Sequence, residues 1–373
     1  MLLNILIVSN TSWYLYNFRL GLIKSLLDKG HEVSALAPKD ESSANLQDAG
    51  CRHIHLEMNN KGVNPVSDLV MKRRLSKLYD QISPDLILHY TIKPVIYGSL
   101  SAAKLGIPFI NNITGLGTAF IKRNWVTWLV KWLYRFSQKE TNHVFFQNAD
   151  DWELFGREKL IPENVPQEVI PGTGIDIDHF NVRPYPESNP VTFLLIARML
   201  WDKGVGEFVE AGRQIKSEFN DVRFQLLGFL DVSNRTAISR EQMQVWMDEG
   251  VIEYLGATDD VRPYIREAHC VVLPSYREGL PRTLLEAAAM GRPIIATDVT
   301  GCREVVEHGV NGYLCKARDA NDLADKMKDM LKLSLNERRE MGLKGRKKME
   351  EDFDEKNVVK KIVSRIESML NTA

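Results

Sequence analysis

The sequence predicts an α/β protein built as two doubly wound domains facing a central cleft, and three observations predict it. The chain has 373 residues, enough for two separate cores. Short, near-continuous apolar runs alternate with longer helical patterns, the signature of parallel strands covered by helices on both faces. The alternation breaks at "IPGTGIDIDHFNVRPYPESNP", Ile170–Pro190, whose Pro, Gly and Asn content suits a connector between domains.

In chain order, the first series of strands is "NILIVSN", "EVSALAP", "HIHLEM", "PDLILHY", "PFINNIT" and "HVFFQN". The second is "VTFLLIAR", "VRFQLLGF", "VIEYLGA", "CVVLPS" and "PIIATD". From Asp319 the chain turns helical and charged, and its last segment, "EKNVVKKIVSRIESML", is amphipathic. The domains so defined are residues 1–182, residues 183–355, and a final helix at 356–373 that can pack back on the first domain. Doubly wound sheets bind ligands at the carboxyl ends of their strands, where the connections diverge, so the loops at those ends are the places to search.

Composition narrows the class. Hydrophobic residues make up 44% and charged residues 26%, and the formal net charge is −1, so any attraction to a charged partner is local. Cys51, Cys270, Cys302 and Cys315 show neither disulfide-framework nor zinc spacing. The opening "MLLNILIVSN" has no basic n-region or cleavage site and reads as a first buried strand. No apolar run reaches the roughly 20 residues of a spanning helix. A reduced, cytosolic protein is the expectation.

The segment "YREGLPRTLLEAAAMGRP" follows the strand "CVVLPS" and holds two carboxylates, Glu278 on a turn and Glu286 one turn into a helix. Pro281 suits the first position of that helix. Backbone N–H groups from Gly279 and Leu280 through Thr283 and Leu284 then form a helix N-terminus, which favours phosphate or hydroxyl oxygens. Glu278 suits sugar hydroxyls, and Glu286 suits the vicinal hydroxyls of a ribose. The alternative is a dipole-complementing Glu286 and a solvated Glu278. Upstream, "VTFLLIAR" ends in Arg198, and Lys203 follows at a strand-to-helix turn. A guanidinium fork and an ammonium at one strand end suit a diphosphate, and they stabilise charge that grows as it leaves. Taken alone, both read first as surface charges, with Asp202 as a local partner.

Together, "ARMLWDKGVGEF", "YLGATDDV", "VVLPSYREGLPRTLLEAAAMGRPIIATD" and "EVVEHGVNGYL" resemble, in order and spacing, the second domain of the retaining family 4 glycosyltransferases of the GT-B fold. The resemblance covers essentially the whole chain and is more specific after Ile170. It implies two Rossmann-like domains, with Arg198 and Lys203 on the donor diphosphate, Glu286 on the ribose, and Glu278 with the amides of Gly279 and Leu280 on the transferred sugar. The turn at Gly228 and the segment around Leu255 would border the nucleobase. The resemblance is to bacterial members that extend undecaprenyl-diphosphate-linked sugars. It implies a UDP-sugar donor carrying a hexose or N-acetylhexosamine (GalNAc or Gal first), a polyprenyl-diphosphate-linked saccharide acceptor, and no cofactor or essential metal. The alternatives are a UDP-sugar 2-epimerase of the same architecture and a homologue that binds without turnover.

The first domain departs from that family pattern. The loop after its first strand, "SNTSWYLYNFRLGL", lacks the usual glycine pair, leaving Asn10 and Thr11 as donor-side contacts and Arg19 as a further charge. Where the family often places a histidine, "DLILHYTIKPVIYG" offers His89, a few residues early, and Lys93, close to the expected position. Lys93 is the better candidate for the acceptor or its phosphate. "ITGLGTAF" carries Gly115 and Gly117 but no third glycine, so it reads as a loop allowing close approach and not as a dinucleotide motif. "DID", Asp176–Asp178, lies in the connector and is not read as a metal site.

Between Met71 and Lys139 eleven Lys and Arg residues face only two acids, Asp80 and Asp85. On a helix, Trp125, Trp128, Leu129, Trp132 and Phe136 share one face with Lys131 and Arg135 at its flanks, and "MKRRLSK" adds Lys72, Arg73 and Arg74. Tryptophans beside cations suit a helix lying in an anionic membrane interface, and the expected location is the inner face of the plasma membrane. The alternative is an ordinary core helix. No nucleic-acid recognition motif is present.

Overall fold

The computed structural model describes residues 2–58, 65–115, 125–187, 189–232 and 234–371. It divides into two compact units, Met1–Thr173 with Glu355–Ala373, and Gly174–Asp354.

The first unit is a parallel sheet of β1 (Asn4–Val8), β2 (Glu32–Ala37), β3 (Arg52–His55), β4 (Leu86–Tyr90), β5 (Phe109–Ile113), β6 (His143–Phe146) and β7 (Gln167–Val169), in the order 3-2-1-4-5-6-7. The period of two along β1 explains its layers. Ile5 and Ile7 pack beneath helices Ser12–Asp28 and Glu355–Asn371, whereas Leu6 and Val8 point to the other face and helix Pro65–Ile82. The terminal helix buries Val358, Ile362, Val363 and Ile366 in this core. At roughly 1.5–3 kcal/mol per buried side chain, taken as an upper estimate, that seam is enough to hold the segment.

The second unit repeats the plan with β8 (Val191–Ile196), β9 (Val222–Leu227), β10 (Glu253–Tyr254), β11 (Cys270–Leu273), β12 (Ile294–Thr297) and β13 (Gly312–Cys315), all parallel, in the order 10-9-8-11-12-13. Phe193 and Leu195 face helices Val205–Glu218 and Ala320–Lys332, while Leu194 and Ile196 face helices Arg282–Ala289 and Leu335–Asp352. Two strands, β7 and β13, were not anticipated. β7 has three half-buried residues with no apolar run, and β13 is a four-residue strand lying behind a turn.

In each sheet the connections diverge beside the first strand, between β1 and β4 and between β8 and β11. Arg198 and Lys203 follow β8, Glu278 follows β11, Asn10 follows β1, and Lys93 follows β4. All five therefore sit at switch points, where this architecture binds ligands.

Candidate active site

β8 is buried along its length, and its last turn delivers Arg198 to the surface, where the side chain has no hydrogen bond or ion pair among the described residues. A short 3₁₀ turn, Trp201–Lys203, follows and ends at Gly204 with φ +73°. A Cβ on Gly204 would stand 2.0 Å from the Pro274 carbonyl, so only glycine lets this turn close onto the loop after β11. The two loops are then tied at several points. The Tyr276 N–H (3.0 Å) and the Ser275 hydroxyl (3.2 Å) both donate to the Asp202 carbonyl. Lys203 Nζ donates to Glu278 Oε1 at 2.5 Å, with both side chains largely buried. The cation expected on the diphosphate and the carboxylate expected on the sugar are therefore each other's partners.

Glu278 is held from behind by its own N–H, which donates to the Thr300 carbonyl at 3.2 Å. Gly301, with φ +82°, allows that approach, since a Cβ there would lie 2.6 Å from the Gly279 carbonyl. Helix Arg282–Ala289 starts one residue later than expected, with Pro281 as its N-cap in extended conformation. Thr283 Oγ1 donates to the Ile196 carbonyl at 3.3 Å, fixing the helix to the end of β8, and Leu284 enters the core. Glu286 accepts from Arg282 Nε at 3.1 Å. Burial raises its pKa above the usual carboxylate range, with the Arg282 charge opposing. Ligand hydroxyls that donate to this carboxylate would replace water it has already lost.

Gly228 and Leu255 come to the same strand ends. The Gly228 N–H donates to the Gly256 carbonyl at 2.8 Å, and the Tyr254 hydroxyl donates to the Gly228 carbonyl at 2.9 Å. Gly228 has φ +141°, and a Cβ on it would stand 1.9 Å from the Ala197 carbonyl, so the turn after β9 lies against the residue preceding Arg198. Asp176 is a turn-forming residue whose Oδ1 accepts from the Asp178 and His179 N–H groups.

The first unit corrects two expectations. His89 is fully buried inside β4, with Nδ1 2.9 Å from Asn111 Oδ1 and Nε2 2.9 Å from the Tyr79 hydroxyl. Burial pushes its pKa down to about 3, so it is a neutral core histidine with no face toward a ligand. Arg19 is likewise buried. Its guanidinium lies 4.2 Å over the Tyr90 ring and donates to the Tyr14 hydroxyl at 2.9 Å, which makes it a core cation and not an acceptor contact. Thr11 caps helix Ser12–Asp28, its hydroxyl accepting from the Tyr14 N–H at 3.0 Å. Asn10 Oδ1 lies 3.4 Å from the Ser9 hydroxyl. Lys93 Nζ is 2.7 Å from Asp68 Oδ1, and the Tyr97 hydroxyl donates to Asp68 Oδ2 at 3.1 Å. Gly115 adopts φ +111° just after β5, and Gly117 lies outside the described residues.

Helix Trp125–Ser137 buries Val130 and Tyr134 and leaves Trp125, Trp128, Trp132 and Phe136 exposed by 70, 68, 49 and 49%. Trp132 and Phe136 stack with centroids 5.8 Å apart. The core-helix alternative is thereby excluded. Its flanking cations, however, turn inward. Lys131 pairs with Glu158 at 2.8 Å, and Arg135 donates to the Glu158 (2.7 Å) and Lys159 (3.2 Å) carbonyls at a helix end. Arg74 pairs with Glu57 at 2.6 Å, Arg73 is exposed, and Lys72 is half-buried. Among the described residues no helix is long and apolar enough to cross a membrane.

Comparison with known proteins shows the family to which the chain belongs. The model described as "Glycosyl transferases group 1" matches residues 190–333, and "Glycosyl transferase 4-like" matches residues 4–148. N,N'-diacetylbacillosaminyl-diphospho-undecaprenol alpha-1,3-N-acetylgalactosaminyltransferase of Campylobacter jejuni is 32% identical over 88% of this chain and 90% of its own. The chain belongs to the family 4 glycosyltransferases. This glycosyltransferase is also 25% identical, over 72% of its length and 70% of the relative's, to UDP-Gal:alpha-D-GlcNAc-diphosphoundecaprenol alpha-1,3-galactosyltransferase of Escherichia coli. Its fold is that of sucrose-phosphate synthase from Thermosynechococcus elongatus (TM-score 0.81, 18% identity, 99% of both chains). It is also that of Anabaena HepE solved with UDP and glucose (TM-score 0.79, 16% identity, 98% of this chain and 100% of that one). Both are GT-B structures.

Sequence reasoning missed the partners that position this glycosyltransferase's motif residues. Arg282 balances Glu286, Thr300 holds Glu278, and the Tyr276 hydroxyl donates to Glu207 Oε1 at 2.5 Å. The i,i+4 spacing of Arg282 and Glu286 was a readable signal. The others join residues far apart in the chain.

Proposed function

We propose that this glycosyltransferase moves a hexose or N-acetylhexosamine, GalNAc or Gal first, from UDP to a polyprenyl-diphosphate-linked saccharide, with retention and without a metal. The observation that carries the proposal is the convergence of Arg198, Lys203 and Glu278 on one switch point, with Glu286 one turn behind. In this reading Glu286 accepts from both ribose hydroxyls, and Arg198 with Lys203 takes the diphosphate. Lys203 leaves Glu278 as phosphate arrives, which frees Glu278 to accept from hydroxyls of the sugar. The anomeric carbon–oxygen bond to the diphosphate breaks while the acceptor hydroxyl attacks from the same face, and its proton passes to the departing phosphate oxygen. The cations then act most strongly on the charge that develops at departure. The names of the two polyprenyl-acting relatives support the acceptor class.

The exposed tryptophan face supports peripheral attachment to the membrane surface that carries such acceptors. With Lys131 and Arg135 engaged by the protein, attachment rests on aromatic burial more than on those charges.

Nucleotide release tests the proposal. The protein is incubated with UDP-GalNAc, UDP-Gal, UDP-GlcNAc, UDP-Glc or GDP-mannose, with and without polyprenyl-diphosphate-linked saccharides. Release of UDP from one donor only when lipid acceptor is present is expected. Isomerisation or release without acceptor would replace transfer with the epimerase reading, and nucleotide binding with no turnover on any acceptor would replace it with a binding role.

A further inference from the structure

A groove of about 420 Å³ opens on the second unit, where the amino end of helix Val205–Glu218 meets helix Arg240–Asp248 and the segment leading into helix Ala320–Lys332. No residue used in the donor reading lines it. One wall is aromatic. The Trp201 indole is partly exposed and set edge-on to the buried Trp246, with centroids 5.6 Å apart. Gly206 lies against the indole so closely that a Cβ would come within 2.7 Å of the ring. The indole is therefore a positioned platform, clamped on one side and open on the other.

The groups around it are planar and polar. Glu207 accepts from Tyr276 through Oε1, while Oε2 is shielded from water with no hydrogen-bond partner among the described residues. Glu210 pairs with Arg213 at 2.6 Å, and Arg318 sits 4.5 Å over the Tyr276 ring. The Gln242 side chain has no partner among the described residues. Two carboxylates and two guanidiniums leave the groove without a net charge, which argues against a dedicated anion or cation site. The exposed Glu210 carboxylate and the Arg213, Gln242 and Arg318 side chains argue against an apolar occupant, because covering them would strip their hydration without a replacement hydrogen bond. A ligand with one flat C–H face and a rim of hydroxyls satisfies both walls. Its C–H face covers the indole, and its hydroxyls bridge carboxylate, guanidinium and carboxamide.

We propose that this groove is a second saccharide-binding site, distinct from the donor site, for a neutral pyranose presented free or within a longer glycan. It does not depend on the donor assignment, since none of its residues is shared.

Ligand-observed saturation-transfer NMR on the full chain tests it, using methyl α-N-acetylgalactosaminide and a soluble GlcNAc trisaccharide as probes, with UDP titrated separately. Saturable transfer is expected from at least one probe. It should be about tenfold weaker in Trp201→Ala, partly kept in Trp201→Phe, and unchanged in Glu278→Ala, the variant aimed at the donor sugar. Transfer from the methyl glycoside alone marks a single-pyranose site, whereas transfer from the trisaccharide alone marks a glycan-chain site. Transfer that survives Trp201→Ala, or that disappears in Glu278→Ala, would overturn the proposal, as would no saturable transfer from either probe. Retained UDP binding in Trp201→Ala shows that the variant is folded, and failure of UDP binding in the wild type would count against the donor reading alone.

Discussion

Lys203 and Glu278 are 75 positions apart in sequence, and their charged atoms are 2.5 Å apart. The loop after β8 and the loop after β11 thus reach each other through the two side chains expected to grip neighbouring parts of one donor, its diphosphate and its sugar. Pairing keeps both charges compensated while the site is free of ligand, because either one alone would be a poorly hydrated charge.

Lys203→Ala should lower kcat about 100-fold or more if the ammonium stabilises the departing diphosphate, with circular dichroism unchanged. Lys203→Arg should recover part of it. Single-turnover kinetics with a saturating donor checks this, and a change confined to KM would point to ground-state binding only.

Glu286→Ala should weaken UDP affinity about tenfold or more, since two charge-assisted hydrogen bonds are lost. Burial raises the pKa of this carboxyl, so protonation begins at a higher pH than for an ordinary glutamate. Wild-type affinity should therefore begin to fall at a higher pH than an ordinary glutamate would give, and the fall should be smaller in Glu286→Gln, where only the titration of UDP itself remains. Isothermal titration at several pH values reads both.

His89 gives a stability signature. Its folded pKa is depressed to about 3 by burial, so the neutral form is required in the core. Its contribution is complete above the unfolded pKa of about 6.5 and is lost as pH falls toward the folded value, by about 1.4 kcal/mol at the first pH unit below. Urea unfolding should show that loss in the wild type and a smaller one in His89→Gln, where His143, its pKa lowered by burial to about 4, still contributes. Turnover per folded molecule should persist in the variant, and a collapse of kcat with the fold intact would restore a role in chemistry.

Trp128→Glu combined with Trp132→Glu should abolish co-sedimentation with anionic vesicles, whereas Lys131→Ala should leave it nearly unchanged because that ammonium already pairs with Glu158. If the lysine variant detaches and the tryptophan variant does not, attachment is electrostatic and lies elsewhere.

Gly228→Ala should cost about 2 kcal/mol or more. The added methyl would stand 1.9 Å from the Ala197 carbonyl in a backbone conformation with φ +141°. Thermal unfolding measures it.

Much of this was legible in the amino-acid order. The strand series, the parallel class and the placement of Arg198, Lys203, Glu278 and Glu286 at strand ends all follow from local signals, namely apolar runs, turn residues and helix starts. Those signals come from the backbone's own preferences and need no knowledge of distant contacts. What the tertiary structure decided is who meets whom. It buried His89 between Tyr79 and Asn111, stacked Arg19 on Tyr90, turned Lys131 and Arg135 onto Glu158, and brought the terminal helix into the first unit. The sequence by itself determined which residues lie at the strand ends. Whether each one faces a ligand, a partner side chain or the core was settled by burial and long-range pairing, and those energies depend on contacts that no local pattern encodes.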